Sequence, residues 1–519
     1  MNYRKQLIGL IIISSLVRMA VAATTELSND EVYYWTYALH LQWNYFDHPP
    51  IVALLIRFFT GNLAAQDEFF VRLGSIVCAA INTWQIFQLG CRVKDEQTGW
   101  LSACLLTASV YAGILAGMMI LPDAPQMVFW LWALLLLVDI FKSNGSRRSR
   151  NRRLILLGIV TGLCIMSKVH GVFIWGGAGL YILLFNRSLF RNPFLYLAVL
   201  LTVLIIMPIY WWNQDNHFVT LNYHGGRVGF FSHLQWDTFF RQLIGEFLYN
   251  NPINVVLIVL AIIGMKKSKL LPEVGQQRML LTISLPLIAV VWFMSLFKDT
   301  LPHWTGPAYT TLIPLAAAYL ARQLRVKQSI RLVPPVVKAA MVLPALLLVL
   351  LMMGIRWLPI QLGSKDEQHL GKGDLLLDMS GWKQFGHDFN GLYKQDMAAG
   401  TMKEGAVIIT DYWFPAAHLD YYVAHDAGIN LIAVGAYGNI HHYAWLNGYR
   451  PALVTGQDAY YVAVSNYFDP PPLAIVNAFR EISPPVVFNQ VRQGVIVRHF
   501  FVYRLKNYLG GLPRNGLVE

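Results

Sequence analysis

The segment 28–50 concentrates the side chains of this chain that best suit acid–base chemistry. It reads SNDEVYYWTYALHLQWNYFDHPP and directly follows the first long apolar run. Asp30 and Glu31 stand near its start, and Asp47 and His48 precede its paired prolines. A carboxylate can take a proton from a hydroxyl, and a nearby cation stabilises negative charge on a leaving group. The composition of the segment therefore predicts a catalytic site rather than a plain membrane anchor.

A structural interpretation of the two leading acids stays open beside the catalytic one. Ser28 followed by Glu31 matches a capping box, in which the glutamate reaches back to the backbone at the start of a helix. Asp30 in the first turn would then favour the helix dipole. This interpretation explains one acid well, but it explains neither the second acid nor the Asp47–His48 pair.

The aromatic side chains of the same segment suggest a helix lying in the plane of the lipid headgroups. They are Tyr33, Tyr34, Trp35, Tyr37, Trp43 and Tyr45. Tyrosine and tryptophan are enriched where a bilayer meets water. An enzyme with a lipid-borne substrate needs the same belt, so Tyr33 and Trp35 are also predicted to line the acceptor site.

Composition assigns the chain to the polytopic membrane proteins. Of 519 residues, 55% are hydrophobic and only 13% are charged, and the mean hydropathy is +0.44, which lies outside the range of soluble domains. The net charge of +12 comes from short links between apolar runs, which argues against nucleic acid as a partner. The four cysteines lie in or beside apolar runs, so neither a disulfide framework nor a CxxC metal site is expected.

Apolar runs of membrane-spanning character predict about eleven transmembrane helices. They lie near 6–23, 69–90, 98–120, 124–141, 154–168, 170–186, 193–212, 252–265, 279–297, 304–321 and 338–357. Several are shorter than the roughly 20 residues that a straight span needs, so tilted or merged spans are open. The first run also resembles a signal peptide with an A-x-A site at residues 20–22, but Arg18 interrupts it and its retention is expected.

The distribution of lysine and arginine predicts the orientation. With the N-terminus in the cytoplasm, the clustered basic links, such as KSNGSRRSRNRR at 142–153, all fall inside. The unusual polar residues then share the extracytoplasmic surface. They are Asp30, Glu31, Asp47, His48, Asp123, Lys168, His170, His217, His224, Arg227, Lys298 and His303.

After the last apolar run the pattern changes to that of a small α/β domain. Strand-length runs occur at 406–410, 430–435, 460–465 and 494–505, alternating with helix-like stretches. We therefore expect a transmembrane catalytic domain over 1–357, with a first extracytoplasmic loop at 24–68, and an extracytoplasmic α/β domain over 358–519. The segment 438–448, which contains His441 and His442, is expected to be a surface loop without chemistry, although a loop facing the catalytic surface is the alternative.

Five motifs in consistent order carry a family resemblance. They are DEVYYW(x)YALHLQWNYFDHPP at 30–50, LPDAP at 121–125, MSK at 166–168, MPIYWWNQDNHFVTLNYHGGR at 207–227 and LPHWTGPAY at 301–309. Together they resemble the bacterial glycosyltransferase family 39 proteins, which are related to protein O-mannosyltransferases and aminoarabinose transferases. The C-terminal region fits this family less well.

The resemblance implies a fold, a reaction and several residue roles. The fold is the GT-C type, a polytopic α-helical membrane enzyme, and the reaction moves a sugar from a polyprenyl-phosphate carrier to an acceptor hydroxyl, usually with inversion. Asp30 matches the catalytic aspartate, and Asp123 matches a second acid near the acceptor. Asp47 corresponds to an acid linked to metal binding, and His48 takes the place of a phosphate-contacting cation.

The remaining candidate residues complete this expected site. His224 and Arg227 are assigned to metal and to donor phosphate respectively. Lys168 and Lys298 are further cations for the departing phosphate, although a lysine at the end of a span also serves as a plain headgroup anchor. His303 and Trp304 are expected to line the acceptor site.

The expected function follows from these assignments. The partners are a polyprenyl-phosphate-linked sugar donor, a cell-envelope lipid, glycan or protein as acceptor, and the lipid bilayer of the cell (inner) membrane. A divalent metal is left open as a cofactor, and no nucleotide is expected because Walker and Rossmann glycine motifs are missing from the sequence. Two alternatives remain: a ligase that transfers a whole glycan from its lipid, and a lipid-linked sugar flippase, which should instead carry ionisable residues near mid-span.

Overall fold

The computed structural model describes residues 2–142, 146–227, 233–265, 270–329 and 331–518, with the side chains of His224 and Arg227 outside the description. The chain forms two compact units. The first comprises Met1–Ala23 and Leu41–Leu347, and the second comprises Thr24–His40 and Leu348–Glu519. The segment 24–40 thus belongs to the second unit. The expected domain boundary at 357/358 stays a prediction.

The first unit is helical throughout its described residues. Its α-helices are Tyr3–Ala22, Ile51–Phe59, Glu68–Val93, Glu96–Ala108, Asp123–Ile140, Arg147–Ser167, Val172–Phe185, Pro193–Asp215, Val219–Arg227, Trp236–Tyr249, Pro252–Gly264, Val274–Ser295, Gly306–Val326 and the first part of Pro335–Trp357. Shorter turns of helix occur at Tyr111–Leu115, Val169–Gly171, Arg187–Arg191 and Pro302–Thr305. Buried leucine, isoleucine and alanine side chains from most of these helices form its core.

Six helices among the described residues are long and apolar enough to cross a membrane. They are Tyr3–Ala22, Glu68–Val93, Asp123–Ile140, Pro193–Asp215, Val274–Ser295 and Pro335–Trp357. The pair Trp236–Tyr249 and Pro252–Gly264, bent by 97°, adds a seventh candidate if it is one broken span. Every apolar run expected from the sequence is helical over at least part of its length. The polytopic helical architecture is therefore confirmed, while the count of eleven spans stays a prediction.

Local sequence explains where these helices begin and cross. The Asp67 carboxylate accepts hydrogen bonds from the backbone N–H groups of Phe69 and Phe70 at 3.1 and 3.3 Å, which caps the helix Glu68–Val93. Its crossing with Glu96–Ala108 is made by glycines, since a Cβ on Gly90 would lie 2.6 Å from the Cα atom of Gly99. Small residues of this kind let two helices approach closely within a membrane.

Arg18, which interrupts the first apolar run, is accommodated inside the first unit. Its side chain is buried, and its Nε atom donates to the carbonyl oxygen of Gly113 at 3.0 Å. The acceptor lies in the π-helix Tyr111–Leu115, where the preceding α-helix has ended at Ala108. This π-helical turn explains why the apolar run 98–120 does not form one continuous α-helix. Turns of π-helix frequently occur at functional sites.

The second unit is an α/β domain, as predicted. Its six strands are β1 (Val407–Thr410), β2 (Leu431–Ala433), β3 (Ala459–Val464), β4 (Phe479–Ile482), β5 (Val486–Arg492) and β6 (Val495–Tyr508). The sheet order is β2-β1-β3-β6-β4, with β5 also paired to β6. β1 runs parallel to β2 and β3, whereas β6 is antiparallel to its neighbours.

The helices of this unit include one from the N-terminal segment 24–40. They are Asn29–Leu39, Trp382–Ala398, Trp413–Leu419, His425–Ala427, Tyr437–Ile440, Tyr443–Leu446 and Leu473–Asn477, and the end of Pro335–Trp357 leads into the unit. The expected strands near 406–410, 430–435, 460–465 and 494–505 are all confirmed. β4 and β5 were not expected, because they mix exposed and buried side chains and lack a long continuous apolar run.

Candidate active site

The two leading acids of segment 28–50 have different environments. Both lie in the first turn of the helix Asn29–Leu39. The buried Glu31 carboxylate accepts hydrogen bonds through Oε2 from the backbone N–H of Ser28 at 2.9 Å and from the Ser28 hydroxyl at 3.0 Å. The expected capping interaction is thus confirmed for Glu31. Asp30, by contrast, is exposed.

The aromatic residues after these acids are buried, which corrects the expected headgroup belt. Tyr33, Tyr34, Trp35 and Tyr37 are all buried. Within the second unit, Tyr33 packs edge-on to Trp413 with ring centroids 4.8 Å apart. Because these rings pack against protein, Tyr33 and Trp35 are not exposed to lipid headgroups as an interfacial belt would be. Trp43, which is 67% exposed, keeps the interfacial character expected of the segment.

The paired histidines are also buried, contrary to the expected surface loop, although Gly438 and Gly448 at the ends of the segment are exposed. His441 stacks on Trp413 with ring centroids 5.3 Å apart, and His442 packs against Tyr37 at 4.9 Å. The backbone N–H of His442 donates to the Tyr33 hydroxyl at 3.3 Å. These residues therefore form the surface on which the helix carrying Asp30 rests.

The first unit contains a buried ion pair between two predicted site residues. The Lys168 Nζ atom lies 2.7 Å from Asp123 Oδ2, and their side chains are only 3% and 2% exposed. The Tyr111 hydroxyl donates to Asp123 Oδ1 at 3.0 Å. Asp123 opens the helix Asp123–Ile140, where the helix dipole also favours a carboxylate. Lys168 thus has its charge partner inside the protein and is not an exposed headgroup anchor.

A glycine fixes the position of the tyrosine in this cluster. The ring of Tyr111 lies flat against Gly306, where a Cβ atom would come within 2.4 Å of the Tyr111 Cδ1 and Cε1 atoms. Gly306 directly follows the turn Pro302–Thr305 of the LPHWTGPAY motif. The motif therefore requires glycine at this position because the tyrosine ring occupies the space of a side chain.

His303 and Trp304, in the same turn, lie near these charges. The rings of Trp304 and His170 are 5.5 Å apart. Burial, together with the nearby Lys168 cation, lowers the pKa of His303 to about 4, so its imidazole is neutral at neutral pH. His48 also acts electrostatically on His303. His48, Asp123, Lys168, His170 and His303 are thus brought into one region of the first unit.

Glu246 is a buried acid that the sequence analysis missed. Its carboxylate accepts hydrogen bonds from Gln242 Nε2 at 2.7 Å, Trp292 Nε1 at 2.8 Å and the Tyr309 hydroxyl at 3.1 Å. The Thr300 hydroxyl donates to Gln242 at 2.8 Å. The network therefore holds both flanks of the turn that carries His303 and Trp304. In the sequence, Glu246 is the one acid between positions 237 and 273, a signal that points to a specific role.

The other predicted site residues have plainer settings. Asp47 and His48 are half-buried, and the backbone N–H of Tyr45 donates to the His48 carbonyl at 3.1 Å, which closes the turn before the paired prolines. Lys298 is half-buried beyond the end of the helix Val274–Ser295. The side chains of His224 and Arg227 lie outside the described residues, so their assignments stay predictions.

The described residues do not fit a metal centre. In that part of the chain, no group of three or more histidine, cysteine, aspartate or glutamate side chains can hold a metal ion. Of the two residues assigned to a metal, Asp47 is described, whereas the side chain of His224 lies outside the described residues. The metal assignment therefore stays a prediction.

Comparison with known proteins agrees with the architecture. Residues 47–212 match the family model described as dolichyl-phosphate-mannose-protein mannosyltransferase. The solved structure of ArnT from Cupriavidus metallidurans in the apo state aligns over 97% of this chain and 98% of that chain, with a TM-score of 0.65 and 12% identity. Its form bound to undecaprenyl phosphate aligns over 96% and 98%, with a TM-score of 0.64 and 13% identity. The fold is therefore the GT-C fold of polytopic glycosyltransferases.

Curated relatives agree with the family resemblance. The chain is 23% identical over 304 residues to lipid A galacturonosyltransferase RgtD from Rhizobium johnstonii, a match that covers 57% of this chain and 61% of the relative. It is 27% identical over 316 residues to the undecaprenyl phosphate-alpha-4-amino-4-deoxy-L-arabinose arabinosyl transferase of Pseudomonas aeruginosa, covering 57% and 54%. The matches span between half and two thirds of these relatives. The resemblance to the family 39 glycosyltransferases is thus confirmed.

Proposed function

We propose that this protein is a membrane glycosyltransferase that moves a single sugar from a polyprenyl-phosphate carrier to a hydroxyl of a cell-envelope lipid. The observation that carries the proposal is an exposed carboxylate, Asp30, beside a glutamate committed to capping the same helix. The names of the similar proteins support the substrates, because one uses an undecaprenyl-phosphate sugar and another modifies lipid A. Lipid A is accordingly the first acceptor to test.

In the proposed reaction, Asp30 acts as the general base. The acceptor oxygen attacks the anomeric carbon of the sugar while its proton passes to the Asp30 carboxylate. The bond between that carbon and the phosphate oxygen breaks, and the electron pair leaves with the polyprenyl phosphate. Negative charge grows on the phosphate, so cations there lower the barrier. His48, Arg227 and Lys298 are the proposed candidates, whereas the charge of Lys168 is already balanced by Asp123.

Substitutions of the two adjacent acids test the proposal. Asp30→Asn removes the proton acceptor at nearly constant volume and should abolish transfer while the protein still inserts and folds. Glu31→Gln keeps an oxygen for the Ser28 N–H and should retain most of the activity. Transfer is measured with purified protein, defined donor lipids and lipid A, at equal protein amounts. Asp30→Asn protein with wild-type activity would remove Asp30 from the catalytic role.

The same assay separates single-sugar transfer from glycan ligation. Donors with one sugar and donors with an oligosaccharide on the same polyprenyl phosphate are compared, and only the former should be consumed. Preferential consumption of the oligosaccharide donor would favour the ligase alternative instead.

We further propose that the second unit lies on the extracytoplasmic side of the inner membrane. The proposal is supported by the concentration of basic residues in links such as 142–153. In a cysteine-free background, single cysteines at Asn62 or Gly438 should react with a membrane-impermeant thiol reagent in intact spheroplasts, whereas one at Ser146 should react only after lysis. Labelling of Ser146→Cys in intact spheroplasts would reverse the proposed orientation.

A further inference from the structure

The segment that carries Asp30 is hydrogen-bonded along its length to the C-terminal part of the second unit. The Glu26 carboxylate accepts from the backbone N–H groups of Trp382 at 2.8 Å and Lys383 at 3.4 Å. These groups belong to the first turn of the helix Trp382–Ala398, where a carboxylate is favoured by the unpaired N–H groups and the dipole. The next residue, Leu27, donates its N–H to the Tyr422 hydroxyl at 2.7 Å.

Asn29, the residue directly before Asp30, is held at both ends of its side-chain amide. Its Oδ1 atom lies 2.8 Å from His418 Nε2, so the imidazole N–H donates to the amide oxygen. The same side chain is hydrogen-bonded to the Asp378 carboxylate, which can accept from its NH₂ group. An amide bonded at both ends has one orientation, and this orientation fixes the first residue of the helix that presents Asp30.

His418 is itself immobilised by its neighbours. Its ring is buried and stacks on Trp382 with centroids 4.2 Å apart and planes inclined by 1°. The Arg498 guanidinium lies 4.5 Å from the centroid of the Trp382 ring, and Phe500 packs against that ring edge-on at 5.4 Å. Burial holds the pKa of His418 well below its usual value, so the imidazole is neutral and offers a single N–H. That N–H is directed to Asn29.

We propose that Asn29 and His418 form a positioning pair, through which the C-terminal domain holds the catalytic carboxylate of Asp30 in its reactive orientation. This inference rests on the proposed role of Asp30 as the base. Neither residue of the pair touches the reacting atoms, and the pair acts through the first turn of the helix. The family resemblance assigned the C-terminal region no catalytic part, whereas this geometry makes it necessary for the rate.

The positioning role differs from a general stabilising role in its expected effects. One neutral hydrogen bond makes only a small net contribution to stability. A displacement of about 1 Å in a catalytic group can reduce a rate about a hundredfold. The pair should therefore affect kcat far more than it affects unfolding temperature, and the effect on the donor KM should be small.

Matched variants separate these roles. His418→Phe keeps an aromatic ring on Trp382 and removes the N–H, whereas His418→Gln replaces the ring but retains a donor near the Nε2 position. Asn29→Ala removes the acceptor at a half-buried position and carries the same test if His418→Phe fails to accumulate. The control is Tyr460→Phe, which deletes another buried hydrogen bond of the same unit, 3.0 Å from Tyr460 to Asp396.

The expected results concern rate and local protection. His418→Phe and Asn29→Ala should each lower kcat roughly tenfold to a hundredfold, and their combination should be no worse than Asn29→Ala alone, because that change already removes the contact to His418. His418→Gln should stay within about threefold of wild type, and Tyr460→Phe should match wild type. Hydrogen exchange of the amides in 26–36 should rise in His418→Phe but not in Tyr460→Phe.

Two results would contradict the proposed positioning role of Asn29 and His418. One is a kcat of His418→Phe and Asn29→Ala equal to that of Tyr460→Phe while Asp30→Asn is inactive, which leaves the proposed function intact. The other is unchanged hydrogen exchange over 26–36 in His418→Phe. If the wild-type protein itself transfers no sugar from any donor, the proposed function fails, and the exchange measurement alone then decides whether the pair holds the segment.

Discussion

Replacing Lys168 by methionine should destabilise the protein, because the change leaves the buried Asp123 carboxylate without its cation. In the structure, Lys168 Nζ is 2.7 Å from Asp123 Oδ2, and both side chains are almost completely buried. Without the lysine, the Tyr111 hydroxyl would be the remaining neighbour known to donate to that carboxylate, through Oδ1. Breaking a buried ion pair by removing one partner costs about 3–5 kcal/mol. We expect lower membrane abundance and an unfolding temperature lower by several degrees.

A double variant separates the two roles that Lys168 can have. Lys168→Met with Asp123→Asn removes both charges and leaves an amide oxygen to accept from Tyr111. Replacing both members of a buried pair by neutral groups is often close to neutral for stability. If Lys168 only balances Asp123, the double variant should regain stability and donor kinetics within about fivefold. If Lys168 also binds the donor phosphate, a loss of roughly tenfold to a hundredfold should remain, as expected for a charge-assisted contact of about 1.5–3 kcal/mol.

The structure favours the first outcome, because a balanced ion pair exerts little net attraction on a phosphate. The assay is donor-dependent transfer by purified protein, with kcat and KM determined separately, together with thermal unfolding in the same detergent. A Lys168→Met protein as stable as wild type would refute the argument from burial. A stable double variant with donor kinetics still tenfold or more below wild type would refute a purely charge-balancing role. Asp123→Asn with Lys168 retained then shows whether the loss belongs to Asp123, the expected second acid, or to Lys168 as a phosphate ligand.

Two further predictions test other parts of the structure. Gly306→Ala should destabilise the protein by about 1–3 kcal/mol and reduce transfer, because the added Cβ would lie 2.4 Å from the Tyr111 ring. The control Gly176→Ala has open space around its Cβ and should leave thermal unfolding and transfer unchanged. Burial raises the pKa of Asp411 to about 6 against ~3.9 in an unfolded chain, so the stabilisation by its bound proton is full below about pH 4 and is lost as pH rises through about 6. The unfolding temperature of wild type should therefore fall between about pH 4 and pH 6 by an amount that is missing in Asp411→Asn. Asp411→Asn should also be more stable than wild type at pH 7. Identical pH profiles of unfolding temperature for the two proteins would contradict the assignment.

Sequence patterns predicted the secondary structure well wherever it depends on local composition. The apolar runs are helical, and the strands β1, β2, β3 and β6 lie where short apolar runs predict them. The break after Ala108 was not predicted, because the apolar pattern continues through it while the backbone changes to a π-helix. Helix geometry of that kind depends on partners such as the Arg18 guanidinium at the Gly113 carbonyl, which lies far away in the sequence.

The assignment of segment 24–40 shows where local patterns fail. Its aromatic side chains have the composition of an interfacial helix, but in the structure they pack against residues of the segments 413–425 and 441–449. A sequence pattern cannot distinguish rings that face lipid headgroups from rings that face another part of the protein. Both environments suit side chains with an apolar ring and a polar tip. Only the long-range contacts decide between them.

The sequence did not predict the ion pair between Asp123 and Lys168 either. Asp123 and Lys168 were both expected among the polar residues of one membrane face, but nothing in their separation of positions indicated that they would neutralise each other. Glu246 was missed for the related reason that its three partners, Gln242, Trp292 and Tyr309, come from three different helices. Charge balance within a buried cluster is a property of the tertiary structure.

The environments of the acidic residues support the proposal that Asp30 is the base. Glu31 is buried and its carboxylate serves the helix start, and Asp123 is buried with a lysine and a tyrosine bound to it. Both carboxylates are therefore already held by donors inside the protein. Asp30 combines an exposed carboxylate with a backbone fixed by the neighbouring Asn29 contact. Adjacent acids in such different environments often serve different roles, which supports the proposal that Asp30, rather than Glu31, is the proton acceptor.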